Sequence, residues 1–386
     1  MYKALYRKYR PSNFDEVIGQ SVIVQTLKNA IEQNKISHAY LFTGPRGTGK
    51  TSVAKIFAQT VNCENSKNCI PCGNCVSCTQ SNNNQSNDII EIDAASNNGV
   101  DEIRNLKGKI NLVPTNSKYK VYIIDEVHML STGAFNALLK TLEEPPKHVI
   151  FILATTEPQK LPSTILSRCQ RYDFKRISDD QIVQRLSIIC QKEKINIEEN
   201  ALYEIARISD GGMRDSISIL DQTVSYKPEN ISIEDVHIVN GTLTQNDLGI
   251  FIENIFNRDV DNTLNLLDKY SEDGKNICKI IDELIYFMKN LLIYNMSPSY
   301  FENKKIDIRA YEHASKITNS NDLYDKYGIH IPVIFEYKDG KDFLADSKIY
   351  LFDSKPYKPN NWNHGYVYYM AKNERLKKLL LVTEVW

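Results

Sequence analysis

Gly44-Pro45-Arg46-Gly47-Thr48-Gly49-Lys50-Thr51 decides how this chain folds. It fits glycine, four residues, then Gly-Lys-Ser/Thr, the pattern of a loop that cradles nucleotide phosphates. The apolar run Ala39-Tyr40-Leu41-Phe42 precedes it and a helical pattern over 52–61 follows, so strand, loop and helix stand in the order the motif requires. Glycines let the backbone curl until several N–H groups converge, and those donors with the helix N-terminus hold phosphate charge. In such a loop Lys50 reaches the β and γ phosphates and Thr51 ligates magnesium.

Working outward, Tyr119-Lys120-Val121-Tyr122-Ile123-Ile124-Asp125-Glu126 is an apolar strand that ends in carboxylates. Asp125 is placed to hold magnesium opposite the lysine, and Glu126 to polarise the attacking water as a general base. A third strand, 148–155, ends in Thr155-Thr156, where the Thr156 hydroxyl would sense the γ phosphate or orient the water. Threonine is also simply a good strand residue. The apolar run 88–94 reads as a buried parallel strand, 99–109 as a helix, and 15–35 as a helix with Val22, Val24, Leu27, Ala30 and Ile31 at three- and four-residue steps. Strands separated by helices, with polar groups at the strand C-terminal ends, describe an α/β fold: a doubly wound parallel sheet with its ligand at the carboxyl edge.

Five of the eight cysteines, Cys63, Cys69, Cys72, Cys75 and Cys78, fall close together. In a reducing compartment that reads as metal before disulfide. The two Cys-x-x-Cys steps at Cys72, Cys75 and Cys78 supply three thiolates, and Cys63 or Cys69 a fourth, for a closed tetrahedral zinc site with no chemistry at the metal. An iron–sulfur cluster is the rival, but the bacterial ferredoxin run ends in a longer gap and a proline, whereas Thr79 follows Cys78 here.

At 386 residues, 42% hydrophobic and 25% charged, the chain has the composition of an ordinary globular protein of two to four domains. Lys+Arg 47 against Asp+Glu 48 leaves nucleic-acid binding to a local basic surface. The first residues have no apolar core of signal-peptide length, and no run of apolar residues is long enough to span a bilayer. A cytoplasmic location without a membrane partner is expected.

Ala4-Leu5-Tyr6-Arg7-Lys8-Tyr9-Arg10-Pro11, Ser37-His38-Ala39-Tyr40, the phosphate loop, Asp125-Glu126-Val127-His128-Met129-Leu130, Leu138-Leu139-Lys140-Thr141-Leu142-Glu143-Glu144-Pro145-Pro146 and Ser167-Arg168-Cys169 occur together. In these the chain resembles the gamma/tau subunits of bacterial DNA polymerase III, the AAA+ ATPase motors of the sliding-clamp loader. The likeness runs from Met1 to about Pro298 and more thinly to about Tyr324. It implies ATP with Mg2+ as the nucleotide, and a zinc module between the phosphate loop and the next strand. The module's Val-Asn-Cys and Pro-Cys-x-x-Cys-x-x-Cys fall on Cys63, Cys72, Cys75 and Cys78, which makes Cys69 spare. It also implies that Arg168 is an arginine finger reaching a neighbouring subunit's nucleotide, and that Arg214, in Gly211-Gly212-Met213-Arg214-Asp215, is a second sensor touching phosphate in cis. Lys140 and Lys160 are weaker candidates for template-phosphate contacts.

The resemblance sets out the expected plan. Residues 1–177 form the nucleotide-binding domain with the zinc module at 63–78, 178–241 a helical lid, 242–325 a collar-like helical region, and 326–386 an unassigned tail. The tail departs from the family: Ile329-His330-Ile331-Pro332-Val333-Ile334-Phe335 reads as a strand, with an Asp339-Gly340 hairpin turn beyond it. The implied function is ATP-driven loading of the sliding clamp onto primer–template DNA, associated with the DNA-directed DNA polymerase holoenzyme. The implied partners are other loader subunits in a hetero-oligomeric ring, the clamp, DNA and the polymerase core. The alternative is an assembly-deficient AAA+ DNA-binding or scaffold protein with an appended C-terminal module.

Overall fold

The strand before the phosphate loop, β1 (Ala39–Thr43), is buried along its whole length, and so is β4 (Val149–Thr155) beside it. Continuous apolar strands of this kind need helices on both faces. In this computed structural model the described residues are 4–83, 85–97, 99, 108, 110–257, 259–301 and 308–317, with strands at 333–335, 347–352, 366–373 and 378–385. They divide into two units, Met1–Asn240 and Gly241–Trp386.

The first unit is built on β1, β2 (Ile89–Asp93), β3 (Lys120–Asp125), β4 and β5 (Gln170–Asp173), all parallel and in the order β2-β3-β4-β1-β5. Side chains alternate across the sheet. Tyr40 and Phe42 join Phe14, Leu27 and Phe57 in the core on one face, while Leu41 joins Tyr122, Leu138 and Phe151 on the other. Register aligns Thr43 with Thr155 and Asp93 with Asp125, so the strand C-terminal ends share one edge. Thr43 and Asp173 are hydrogen-bonded there.

The helix expected over 15–35 is shorter. A 3-10 turn, Phe14–Glu16, capped by Asn13, comes first; Gly19, at φ +75°, then redirects the chain into the helix Ser21–Glu32. The helix expected over 99–109 falls almost wholly outside the described residues.

Beyond β5 come the helices Asp179–Glu193, Glu199–Ile208, Met213–Tyr226 and Ile233–Asn240. Ser178 caps the first by accepting from the Gln181 N–H. Ile182, Leu186, Ile205, Ile217 and Leu220 form their core, and Leu5 of the short N-terminal helix Leu5–Lys8 inserts into it. This bundle is tied to the chain's beginning: Asp221 accepts from the Leu5 N–H at 3.1 Å, and Tyr9 is hydrogen-bonded to Glu193.

The second unit holds the helices Gln245–Phe256, Val260–Glu272, Ile277–Met296 and Arg309–Ile317, packed through Phe251, Ile252, Phe287, Leu291 and Tyr311. Thr244 and Asp247 make a reciprocal capping box at its start. The tail carries an antiparallel sheet, β6 (Val333–Phe335), β7 (Ser347–Phe352), β8 (Tyr366–Asn373) and β9 (Lys378–Val385), in sequence order. The turn expected at Asp339-Gly340 lies outside the described residues. Among those described, no helix is long and apolar enough to cross a membrane.

Candidate nucleotide site and metal centre

The phosphate loop leaves β1 through Gly44, whose φ of +138° and close approach to β5 exclude any side chain: a Cβ there would stand 2.3 Å from the Phe174 carbonyl oxygen. Gly49, at φ +99°, opens the helix Lys50–Asn62, and Thr48 turns its hydroxyl back onto the Pro45 carbonyl at 2.8 Å. Lys50 is buried, its Nζ donating to the Gly44 and Pro45 carbonyls at 2.9 and 2.8 Å. Burial pulls its pKa down, and the charges of Glu126 and Asp125 pull it back up. Both carboxylates therefore lie within electrostatic reach of the ammonium. Thr51 donates its hydroxyl to Asp125 Oδ2 at 2.7 Å, pairing the two side chains assigned to magnesium.

Glu126 follows β3 in the left-handed region, at φ +46°, a conformation that favours glycine and costs a glutamate on the order of 1 kcal/mol or more. Its Oε2 accepts from the Thr156 hydroxyl at 3.0 Å and the Thr156 N–H at 3.3 Å. The two ends of β3 and β4 thus converge on one carboxylate.

The bundle beyond β5 closes over the same loop. Gly47 and Gly212 meet backbone to backbone, and a Cβ on Gly47 would fall 2.9 Å from Gly212 Cα. The Arg214 N–H points at the Gly47 carbonyl at 3.5 Å, and Arg46 lies 4.0 Å from Asp215. The Arg214 guanidinium sits 5.3 Å from the ring centre of Tyr6.

Arg168 is elsewhere. It precedes β5, which begins at Gln170 alongside Tyr40, whereas the phosphate loop follows the far end of β1. It therefore belongs to the opposite edge of the sheet, roughly 10 Å of strand away. Its guanidinium donates to Glu143 Oε1 and the Thr164 carbonyl, both at 2.8 Å.

The sulfurs of Cys63, Cys72, Cys75 and Cys78 lie within 4.8 Å of one another. Four thiolates at about 2.3 Å from zinc stand about 3.8 Å apart, so the cluster fits a tetrahedral ion with slight contraction. The Cys72 N–H donates to Cys63 Sγ at 3.2 Å and the Cys75 N–H to Cys72 Sγ at 3.3 Å. Backbone donors from Asn74 and Cys75 hold the Cys72 thiol down at about 6, while burial pushes Cys78 up to about 12. Cys69 is not in the cluster: it is buried against the helix Ser21–Glu32, with its sulfur 3.6 Å from the Lys28 carbonyl.

A family model for the DNA polymerase III delta subunit matches residues 19–178, and one for the ATPase lid domain of the DNA polymerase III clamp loader subunit matches 181–227. The DNA polymerase III subunit gamma of Buchnera aphidicola subsp. Baizongia pistaciae is 37% identical over 330 residues, which cover 84% of this chain and 89% of that protein. The chain belongs to the DNA polymerase III gamma/tau family.

The gamma/tau relatives include longer proteins. The tau subunit of Bacillus subtilis is 48% identical over 331 residues, 85% of this chain and 59% of that protein; the Escherichia coli tau subunit is 39% identical over 318, 82% and 50%. The chain thus spans 50 to 59% of the length of these two. Among solved structures, the Thermotoga maritima RuvB branch migration motor covers 64% of this chain and 79% of its own at 19% identity, with a TM-score of 0.45. The parallel sheet, the phosphate loop and the helical lid make this gamma/tau chain a P-loop AAA+ protein.

Of the residues expected at a gamma/tau nucleotide site, the fold brings Lys50, Thr51, Asp125, Glu126 and Thr156 to one edge, sets Arg214 over the loop by its backbone, and puts Arg168 apart. His128, which adjoins Glu126, and Glu157, which adjoins His128, were not singled out by sequence reasoning. Their partners are far apart in the chain, and an enclosed histidine after Asp-Glu carries no spacing signal of its own.

Proposed function

We propose that this chain is an ATP-hydrolysing motor subunit of a bacterial sliding-clamp loader, acting with other loader subunits, the clamp and primer–template DNA alongside the polymerase. The parts follow from the sequence plan: 1–177 binds nucleotide, 178–241 is the lid, 242–325 a collar-like region and 326–386 an appended module. Lys50 and the N–H groups of 44–51 bind the phosphates, while Thr51 and Asp125 would hold Mg2+, which when bound screens charge on the phosphate oxygens. Glu126 takes the proton of the attacking water, and Thr156 fixes the carboxylate that does so. Arg214 reports phosphate to the lid through the Gly47–Gly212 contact. Cys63, Cys72, Cys75 and Cys78 hold a structural zinc ion that pins the excursion between the helix Lys50–Asn62 and β2.

The observation that carries this reading is the placement of Arg168 on the edge of the sheet opposite its own phosphate loop. An arginine there is remote from its own phosphate loop and, on leaving its Glu143 partner, would serve a neighbour's nucleotide. Replacing Arg168 with alanine is expected to cut hydrolysis by about a thousandfold or more in the assembled complex, with ATP affinity little changed. Equal loss of binding would remove the trans role.

A further inference from the structure

The His128 side chain is enclosed, only 6% exposed, and it stands between two carboxylates. Its Nδ1 lies 3.0 Å from Thr155 Oγ1 and 3.4 Å from Glu126 Oε2; its Nε2 lies 3.1 Å from Glu157 Oε2. A carboxylate at that distance calls for a proton on Nε2, while the Nδ1 edge shares a hydrogen bond with the Thr155 hydroxyl whose direction follows the ring's protonation. Thr155 is itself fixed, since its oxygen accepts from the Glu157 N–H at 3.0 Å. Glu157 is anchored in turn by Lys160 Nζ at 2.8 Å, a hydrogen bond that holds its carboxyl below the usual range. The imidazole plane is therefore set by three residues of the segment 155–160. Its Nδ1 edge faces the one oxygen of Glu126 that Thr156 also holds.

We propose that His128 is a positioning residue for hydrolysis: locked by Glu157 and Thr155, its ring walls the Glu126 carboxylate against Thr156. All the described contacts of the carboxylate fall on Oε2, so Oε1 keeps its lone pairs for the water. Glu126 needs such a wall because its backbone is strained at φ +46°, and relaxation of that dihedral would swing the carboxylate off the strand end. The inference rests on Glu126 being the general base.

The test uses the full chain in the complex it forms with the other loader subunits, comparing ATP turnover with binding of a fluorescent ATP analogue. Asparagine at 128 keeps a polar atom near Nδ1 but cannot reach Glu157; glutamine keeps one near Nε2 but loses the Nδ1 edge. His128→Ala is expected to lower kcat tenfold or more with the analogue's Kd within twofold. His128→Asn and His128→Gln should each fall between it and the unaltered protein. Wild-type kcat in both His128→Asn and His128→Gln would overturn the proposal, as would parallel losses of kcat and binding in His128→Ala. Glu126→Gln separates the two levels: if it hydrolyses normally, the general-base reading fails. If it is inactive while His128→Ala is fully active, only the positioning role fails.

Discussion

Lys50 shows how much chemistry one buried side chain concentrates. Its ammonium is desolvated among loop carbonyls, with Asp125 and Glu126 near enough to favour its charge. A charge-assisted hydrogen bond to phosphate is worth roughly 1.5–3 kcal/mol, so Lys50→Ala should weaken ATP binding about tenfold to a hundredfold. Titration of a fluorescent ATP analogue checks this, and unchanged affinity would contradict it. The phosphate loop was legible in the sequence because its residues are adjacent and each type has its own reason. Asp125 and Glu126 were legible because an apolar strand points to its own C-terminal end. His128 was not, because its partner Thr155 lies 27 residues further on and only the pairing of β3 with β4 brings them together.

At the scale of elements, the cysteine excursion separates two kinds of thiol. Cys72 belongs to a cluster whose backbone donors favour a thiolate, whereas Cys69 fills the core beneath the helix Ser21–Glu32. Elemental analysis should find one zinc per chain in the unaltered protein and in Cys69→Ser, and none in Cys72→Ser; full zinc in Cys72→Ser would contradict the assignment. The spacing alone could not choose between Cys63 and Cys69, since both precede Cys72 within reach of it. The choice came from the family's Val-Asn-Cys, and physically from the helix that buries Cys69.

The lid offers a pH test. Asp235 Oδ2 accepts from Lys227 Nζ at 2.7 Å and from the Ser232 N–H at 2.8 Å, and these bonds, the lysine's first, hold its pKa below the ordinary value. With the folded pKa depressed, the unfolded chain binds more protons in the interval between the two values. The contribution is therefore complete above the ordinary aspartate pKa and is lost as pH falls through the folded one. Melting curves in acid should show Asp235→Asn less stable at neutral pH, with a smaller further loss on acidification; identical acid profiles would contradict the role.

For the molecule as a whole, the doubly wound parallel sheet and the helical lid were within reach of sequence reasoning because strands, helices and breaks alternate plainly up to Tyr226, whereas the order β2-β3-β4-β1-β5 and the short edge strand β5 depend on pairings between distant segments. The tail was legible only as strand-forming sequence, and it folds as an antiparallel sheet with no phosphate loop or cysteine cluster among its residues. Under the proposed function the nucleotide site is complete for binding within one chain, and Arg168 is proposed to serve the site of a neighbouring subunit. The most direct test is steady-state ATP turnover by the chain assembled with its loader partners, with and without sliding clamp and primed DNA. Turnover should rise several-fold when clamp and primed DNA are both present. A rate that neither addition changes, with all the other loader subunits supplied, would contradict the clamp-loading role and leave an AAA+ protein that binds DNA or scaffolds without driving a motor cycle.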